Sequence, residues 1–357
     1  MNNLTVTQSG APGAATVTYA DTVAVGVGTG CTRNGPNTVT CPTPGSITIT
    51  LADQDDQTTL VNVTVSVNQD GGAGNDTLRG PQGFVSSLGG DGNDQLIGST
   101  GAGSGFEFDF DRSDLDGGAG ADRFVGGPGA DRVDYGGRTA GVTVTLDDQP
   151  NDGEAGEGDN LVSSIESVIG GAGPDSLTGG AGNEFLDGRA GNDTVDGGPG
   201  DDDLVGGPGT DIIRGGTGVD RASFFESATT PPFAGLDVSV TLDNVANDGP
   251  AGANDNVAAD VEDIDTDSGN DTIVGSAEFN FLAGNSGNDV IDGAAGSDVL
   301  FGGGGDDTLR ARRLRRPRGL RLGDGYRDRR HARLGARLLR RSRGRRQCAS
   351  PRIGRRR

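Results

Sequence analysis

The pattern Gly-Gly-x-Gly-x-Asp-x-apolar-x returns fifteen times along this 357-residue chain, and its clearest copies abut at a spacing of nine. Residues 170–178 read GGAGPDSLT, 188–196 GRAGNDTVD, 197–205 GGPGDDDLV and 206–214 GGPGTDIIR. A fixed period of this length restricts the chain to a solenoid: each repeat is one short unit that cannot bury an apolar face alone and must stack on its neighbours. Glycines permit tight turns with inward-facing carbonyls, and the recurring Asp adds one hard anionic oxygen at a constant place in each turn. That donor set suits Ca²⁺, which takes about six to eight oxygens, many of them main-chain carbonyls.

The nonapeptide resembles that of the haemolysin-type (RTX) calcium-binding repeat proteins, over residues 71–309 with two interruptions. The resemblance implies an all-β fold, a right-handed parallel β-roll in which two nonapeptides make one coil. The first six residues of each would form the ion-binding loop and the last three a short strand. The implied metal ligands are the sixth-position residues: Asp76, Asp94, Asp122 and Asp131, then Asp175, Glu184, Asp193, Asp202, Asp211 and Asp220. A third block supplies Asp271, Asn280, Asp289, Asp298 and Asp307. Core-facing eighth positions would be Leu78, Leu96, Phe124, Val133, Leu177, Leu186, Val195, Leu204, Ile213, Ile273, Leu282, Ile291, Leu300 and Leu309, all apolar. After Asp220 the corresponding residue is the small Ala222, and the block ends.

Two repeats per coil predict which carboxylates meet. Asp175, Asp193 and Asp211 should stack on one edge, with Glu184, Asp202 and Asp220 on the other. In the third block Asp271, Asp289 and Asp307 should oppose Asn280 and Asp298. Glu184 is longer by a methylene and Asn280 is uncharged, so their sites are expected to be weak. The plainer alternative, a Gly-rich acidic solenoid or linker that binds no ion, sits poorly with so strict a register, because solvated charge runs do not keep an apolar partner two residues on.

Composition points to folding coupled to metal. Residues 1–309 carry 50 acidic side chains and 9 Arg, a net charge of −41. With 67 Gly, no Trp and one Met, the chain has little for a conventional core. One buried apolar side chain per nonapeptide does not offset the entropy of ordering the backbone, and stacked carboxylates repel. The roll is therefore expected to stay largely unfolded until ions arrive. Such a charge excludes nucleic acid and anionic membrane as partners of this body, and no apolar run reaches the ~18–20 residues of a transmembrane helix. No secretory signal is visible at Met1-Asn2-Asn3-Leu4. Secretion or display at the cell surface is nevertheless expected, through an upstream start or another export route, because loops of this kind bind Ca²⁺ at about 10⁻⁴–10⁻³ M, an extracellular condition.

Around the repeats the chain divides into further segments. Residues 1–68 alternate apolar residues with Thr or Asn, as in Leu4-Thr-Val-Thr, Thr16-Val-Thr-Tyr, Ser46 to Leu51 and Leu60 to Val67, which predicts half-buried strands. This N-terminal β module is expected to cap the first coil, with a disulfide between Cys31 and Cys41 across the turn Asn34-Gly35-Pro36-Asn37. The first nonapeptide block is placed at 69–136 and the second at 170–222, joined by a strand and acidic loop at 137–169. A matching connector at 223–265 leads to the third block at 266–310, and residues 142–197 align without gaps to 238–293. Both connectors keep Asn-Asp-Gly (151–153 and 247–249) and Asp-Asn (159–160 and 255–256). Those residues suit either an additional calcium or Asx-type turns.

No catalytic constellation is expected. There is no HExxH and no G-x-S-x-G, no Lys for a phosphate-binding loop, and the one His, His331, lies in the Arg-rich end. Two functions remain: a secreted calcium-binding β-roll, or an adhesion or structural surface protein in which calcium is only a staple. From Arg310 onward the character changes abruptly, with 21 Arg against Asp324 and Asp328. Such a segment, 311–357, ordinarily indicates a nucleic-acid patch. In GC-rich codons, however, reading one base later from Arg310 permits Asp across Arg316/Pro317 and Gly325/Tyr326, nine and eighteen residues after Asp307. We expect this segment to be a reading-frame artefact. The intact mass of the natural protein should then lack the Arg-rich peptide, and recovering that peptide from the mature product would restore the nucleic-acid alternative.

Overall fold

A nonapeptide ending in a three-residue strand places successive apolar residues on opposite walls, so copies two repeats apart lie in parallel, one above the other. The computed structural model follows that geometry. It describes residues 3–9, 16–20, 32–35, 38–42, 46–51, 53–101, 113–224 and 235–311, which fall in one unit spanning Met1–Leu314. Short strands and turns make up the described residues, with no helix among them.

One wall of this parallel β-roll is a 12-stranded sheet that runs unbroken from Ser46–Thr50 to Val299–Phe301. The other is divided into sheets of 9, 6 and 5 strands. On the continuous wall Leu115, Val133, Val168, Leu186, Leu204, Ala222, Ile264, Leu282 and Leu300 pair in register, each on the next. Facing them are three shorter apolar rows: Leu78–Leu96–Phe124–Leu161, Val144–Leu177–Val195–Ile213–Val257 and Val240–Ile273–Ile291–Leu309. Nearly all of these side chains are fully buried and join one core. The last coil departs from the expected burial: Leu300 is half-buried and Leu309 is 46% exposed, because no further described coil covers them.

The N-terminal strands extend both walls. Asn3–Ser9 runs parallel to Gln57–Val61 and antiparallel to Thr16–Ala20, while Ser46–Thr50 runs parallel to Ser66–Ala73. Val6, Ile47, Ile49, Val63 and Val67 form a small core of their own. Two expectations change here. The single strand from Leu60 to Val67 is broken, since Asn62 takes a left-handed φ of 55° and turns the chain between walls. Period-two alternation continues through the corner, which is why it reads as one strand. The boundary after residue 68 falls inside Ser66–Ala73, which belongs to the continuous wall. Cys31, and with it the expected disulfide to Cys41, lies outside the described residues, as do residues 312–357.

Each connector is an excursion that leaves one wall intact. In the first, Val142–Thr145 opens the six-stranded sheet beside Ser176–Thr178 and forms a hairpin with Gly153–Glu154. Asn160–Leu161 then returns to close the previous sheet against Arg123–Val125. In the second, Val238–Thr241, Gly249–Pro250 and Asn256–Val257 repeat the same path.

Candidate metal centres

The repeat glycines create the space and the sixth-position carboxylates line it. In the 197–205 repeat Gly198 holds φ at +85°, a conformation that L side chains rarely adopt. At the first position the requirement is for room. A Cβ on Gly188 would lie 2.7 Å from Asp193 Oδ2 and 2.8 Å from the main-chain oxygen of Gly206, one coil on. At Gly197 the equivalent distances are 2.5 Å to Asp202 Oδ2 and 2.7 Å to the Gly215 oxygen. The missing side chain thus leaves a small cradle faced by a carboxylate oxygen and a carbonyl oxygen from adjacent coils.

The carboxylates are aimed by a ladder of hydrogen bonds between coils. Asp193 Oδ1 accepts the Asp175 N–H at 2.8 Å, and Asp211 Oδ1 accepts that of Asp193 at 2.8 Å. On the other edge Asp202 Oδ1 accepts the Glu184 N–H at 2.8 Å, and Asp220 Oδ1 that of Asp202 at 3.0 Å. The first block repeats this from Asp76 to Asp94 to Asp122. The third block does so from Asp271 to Asp289 to Asp307, and from Asn280 to Asp298.

With Oδ1 committed to the ladder, Oδ2 is left over. In Asp76, Asp94, Asp122, Asp193, Asp202, Asp211, Asp220, Asp271, Asp289 and Asp298 it is buried without a hydrogen-bond partner, and in Asp131 the same holds for Oδ1. A buried anionic oxygen with no donor is costly unless a cation meets it. Burial accordingly pushes Asp193 up to about 8 and Asp94 and Asp122 up to about 7, with neighbouring carboxylates adding to the rise. Asp202, Asp211 and Asp220 rise to about 6, again mainly through burial.

Three expected ligands are differently engaged. Asp175 Oδ2 accepts the Gly171 N–H at 2.6 Å. The extra methylene of Glu184 folds its carboxylate onto its own loop, where Gly182 and Gly180 donate at 2.9 and 3.3 Å. Asn280 accepts from the Ser276 N–H at 2.8 Å, and its amide donates at 3.0 Å to the Glu262 carbonyl.

The connectors contain carboxylates that the nonapeptide pattern does not reveal. Asp159 Oδ1 accepts the Asp122 N–H at 2.8 Å, and Asp255 Oδ1 that of Asp211 at 2.9 Å. Glu166 and Glu262 accept the N–H groups of Asp131 and Asp220, each at 2.9 Å. Before the first block, the Asp56 N–H donates to Asp76 Oδ1 at 2.7 Å. The signal for four of these was present as acid-x-apolar without the glycines: Asp159-x-Leu161, Glu166-x-Val168, Asp255-x-Val257 and Glu262-x-Ile264. Asp152 and Asp248 behave otherwise, because both oxygens of each accept backbone N–H bonds at 2.7–2.8 Å and brace the hairpin.

Oxygen-only donors, cradles that a Cβ would fill and orphaned buried carboxylate oxygens together fit Ca²⁺. Among the described residues no group of three or more acidic, His or Cys side chains is placed to hold a metal. An ion here would therefore draw most of its ligands from main-chain carbonyls, with the carboxylates of adjacent coils supplying the charge. A family model for the RTX calcium-binding nonapeptide repeat (4 copies) matches residues 70–83, 88–103, 114–137, 155–195, 196–222, 265–300 and 275–309. Between residues 70 and 309 the chain belongs to that calcium-binding repeat family. No curated protein matches the chain.

Two outcomes are expected. Asp193→Ala removes both an orphaned oxygen and the acceptor for Asp175, so it should cost more bound calcium by calorimetry than Asn280→Ala. Equal losses would contradict the ladder. The second concerns protons. A carboxyl whose pKa rises on folding binds protons more tightly when folded, so its contribution favours the roll at low pH. That contribution is lost as pH climbs from the ordinary 3.8 through the folded value, which for Asp193 is about 8. Calcium-stripped protein should therefore gain β signal by circular dichroism between pH 8 and pH 5, whereas calcium affinity should fall over the same interval.

Proposed function

We propose that this protein is a non-catalytic, secreted calcium-binding module whose repeats fold and stiffen when Ca²⁺ enters the cradles between coils. The observation that carries this reading is the row of buried Oδ2 atoms without donors, all but that of Asp271 (where Thr266 stands at the first position) facing a space kept open by a glycine. When bound, the ion supplies positive charge and multidentate oxygen coordination. The chain's own residues do the rest: Oδ1 fixes the spacing of the coils, the glycines keep the loop narrow, and the apolar eighth positions close the core. Extracellular calcium concentrations match loops of this class, which supports a location outside the cell. Among the described residues no helix is long and apolar enough to cross a membrane.

Residues 1–309 should be largely unfolded in EGTA and gain β structure cooperatively with Ca²⁺, as followed by far-UV circular dichroism. Equal Mg²⁺ should not substitute, because it demands tight octahedral geometry and gives up its waters reluctantly. A spectrum indifferent to EGTA would remove the basis of this function.

A further inference from the structure

The second connector ends on Asp260-Val261-Glu262-Asp263-Ile264, which has none of the repeat's glycines. It nevertheless lies directly on the coil that carries Asp220: Arg221–Phe224 pairs in parallel with Asp263–Thr266. Asp220 is 0% exposed, and its Oδ2 has no hydrogen-bond partner. A Cβ on Gly215 would stand 2.6 Å from that oxygen and 2.9 Å from the main-chain oxygen of Asp260. One coil earlier, the cradle at Gly197 is bounded in the same way by Asp202 Oδ2 and the Gly215 oxygen. The Asp260 carbonyl therefore stands where a repeat glycine's carbonyl would. Two further carboxylates adjoin the space. Asp260 Oδ1 accepts the Gly215 N–H at 3.3 Å, and Glu262 Oε2 accepts the Asp220 N–H at 2.9 Å.

We propose that this connector, outside every stretch that matches the repeat family, completes a Ca²⁺ site with Asp220. Asp220 Oδ2 and the Asp260 carbonyl face the ion, and the Asp260 and Glu262 carboxylates add negative charge beside it. A hard cation is required because every donor is oxygen. The duplicated first connector supplies the contrast. There Ser164 takes the place of Asp260, its hydroxyl accepting the Gly126 N–H at 3.0 Å, so that junction carries one carboxylate fewer. Calcium loops gain affinity with ligand charge, and the second junction is accordingly the tighter of the two.

The proposal rests on the calcium-binding reading of the repeats, and the test separates the two. Native mass spectrometry of the full chain, at the free calcium that just saturates wild type, counts bound ions. The Asp260→Ser, Glu262→Gln double variant should carry one ion fewer than wild type with an unchanged far-UV spectrum, whereas Asp193→Ala should lose ions within the second block. Glu262→Gln alone retains an acceptor for the Asp220 N–H. It should keep the fold and need about tenfold more free calcium to fill the junction. A double variant with the wild-type ion count, or Glu262→Gln with wild-type calcium dependence, overturns the proposal. Wild type that binds no calcium overturns the reading of the repeats instead.

Discussion

The roll depends on one contact repeated along its edges, in which a carboxylate oxygen accepts the backbone N–H of the coil before it. This bond sets the register of neighbouring loops where no strand pairing reaches, and it fixes the carboxylate plane. Fixing one oxygen determines where the other goes, which is into the glycine cradle with no protein donor. The same ladder stacks like charges at roughly the 4.8 Å spacing of strands. The interaction that specifies the fold thus also creates an electrostatic demand for a cation. On the function proposed above, calcium binding and folding are coupled through that single geometric choice.

The two edges answer this demand differently. Carboxylates that precede strands of the divided wall are all Asp: 76, 94, 122 and 159, then 175, 193, 211 and 255, then 271, 289 and 307. Along the continuous wall the row reads Asp131, Glu166, Glu184, Asp202, Asp220, Glu262, Asn280 and Asp298. Every departure from Asp lies on the side where twelve strands pair without interruption. Where strand pairing is broken by connectors, the short Asp side chain is kept throughout, and Asp175 alone of the row above is described as turning its second oxygen back to its own loop. Glu184 and Asn280 show what the alternative does, since each satisfies itself with protein groups and leaves its cradle without an orphaned oxygen.

Much of this was legible in the sequence, because a period of nine with an acid and an apolar residue two apart leaves little freedom. The core positions from Leu78 to Ile291 follow from it, as do the stacked pairs such as Asp175–Asp193. The shared Asp-Asn pairs marked Asp159 and Asp255 in the sequence, but the ladder role of the connector carboxylates was not legible, for a physical reason. Asp159, Glu166, Asp255 and Glu262 keep the acid-x-apolar half of the motif but sit on turns whose shape is set by the hairpin, so glycines do not stand at the repeat's first, second and fourth positions. The corner at Asn62 was hidden because Val63 and Val67 stay buried through it, preserving alternation across a change of wall. The uncovered Leu309 was invisible for a different reason: burial of an eighth position is a property of the next coil, not of its own repeat.

The connectors show how such a roll lengthens without losing its ladder. A duplicated segment that inserted a hairpin between coils would ordinarily break both walls. Here the continuous wall passes each junction intact, from Arg132–Asp134 to Ser167–Ile169 and from Arg221–Phe224 to Asp263–Thr266. On the divided wall Asp159 and Asp255 close the old ladder, while Asp175 and Asp271 open the new one by accepting the N–H of Val142 and Val238. Asp152 and Asp248 hold the hairpin to both sides at once, one oxygen on the opening strand and one on the returning strand. The excursion is therefore tied by backbone-accepting carboxylates at every point where it leaves the coil. A buried acid that is fully bonded to backbone serves as a brace, and one that is half bonded keeps an oxygen open to a cation. Among the Asp residues, the number of N–H groups within reach decides between those two states.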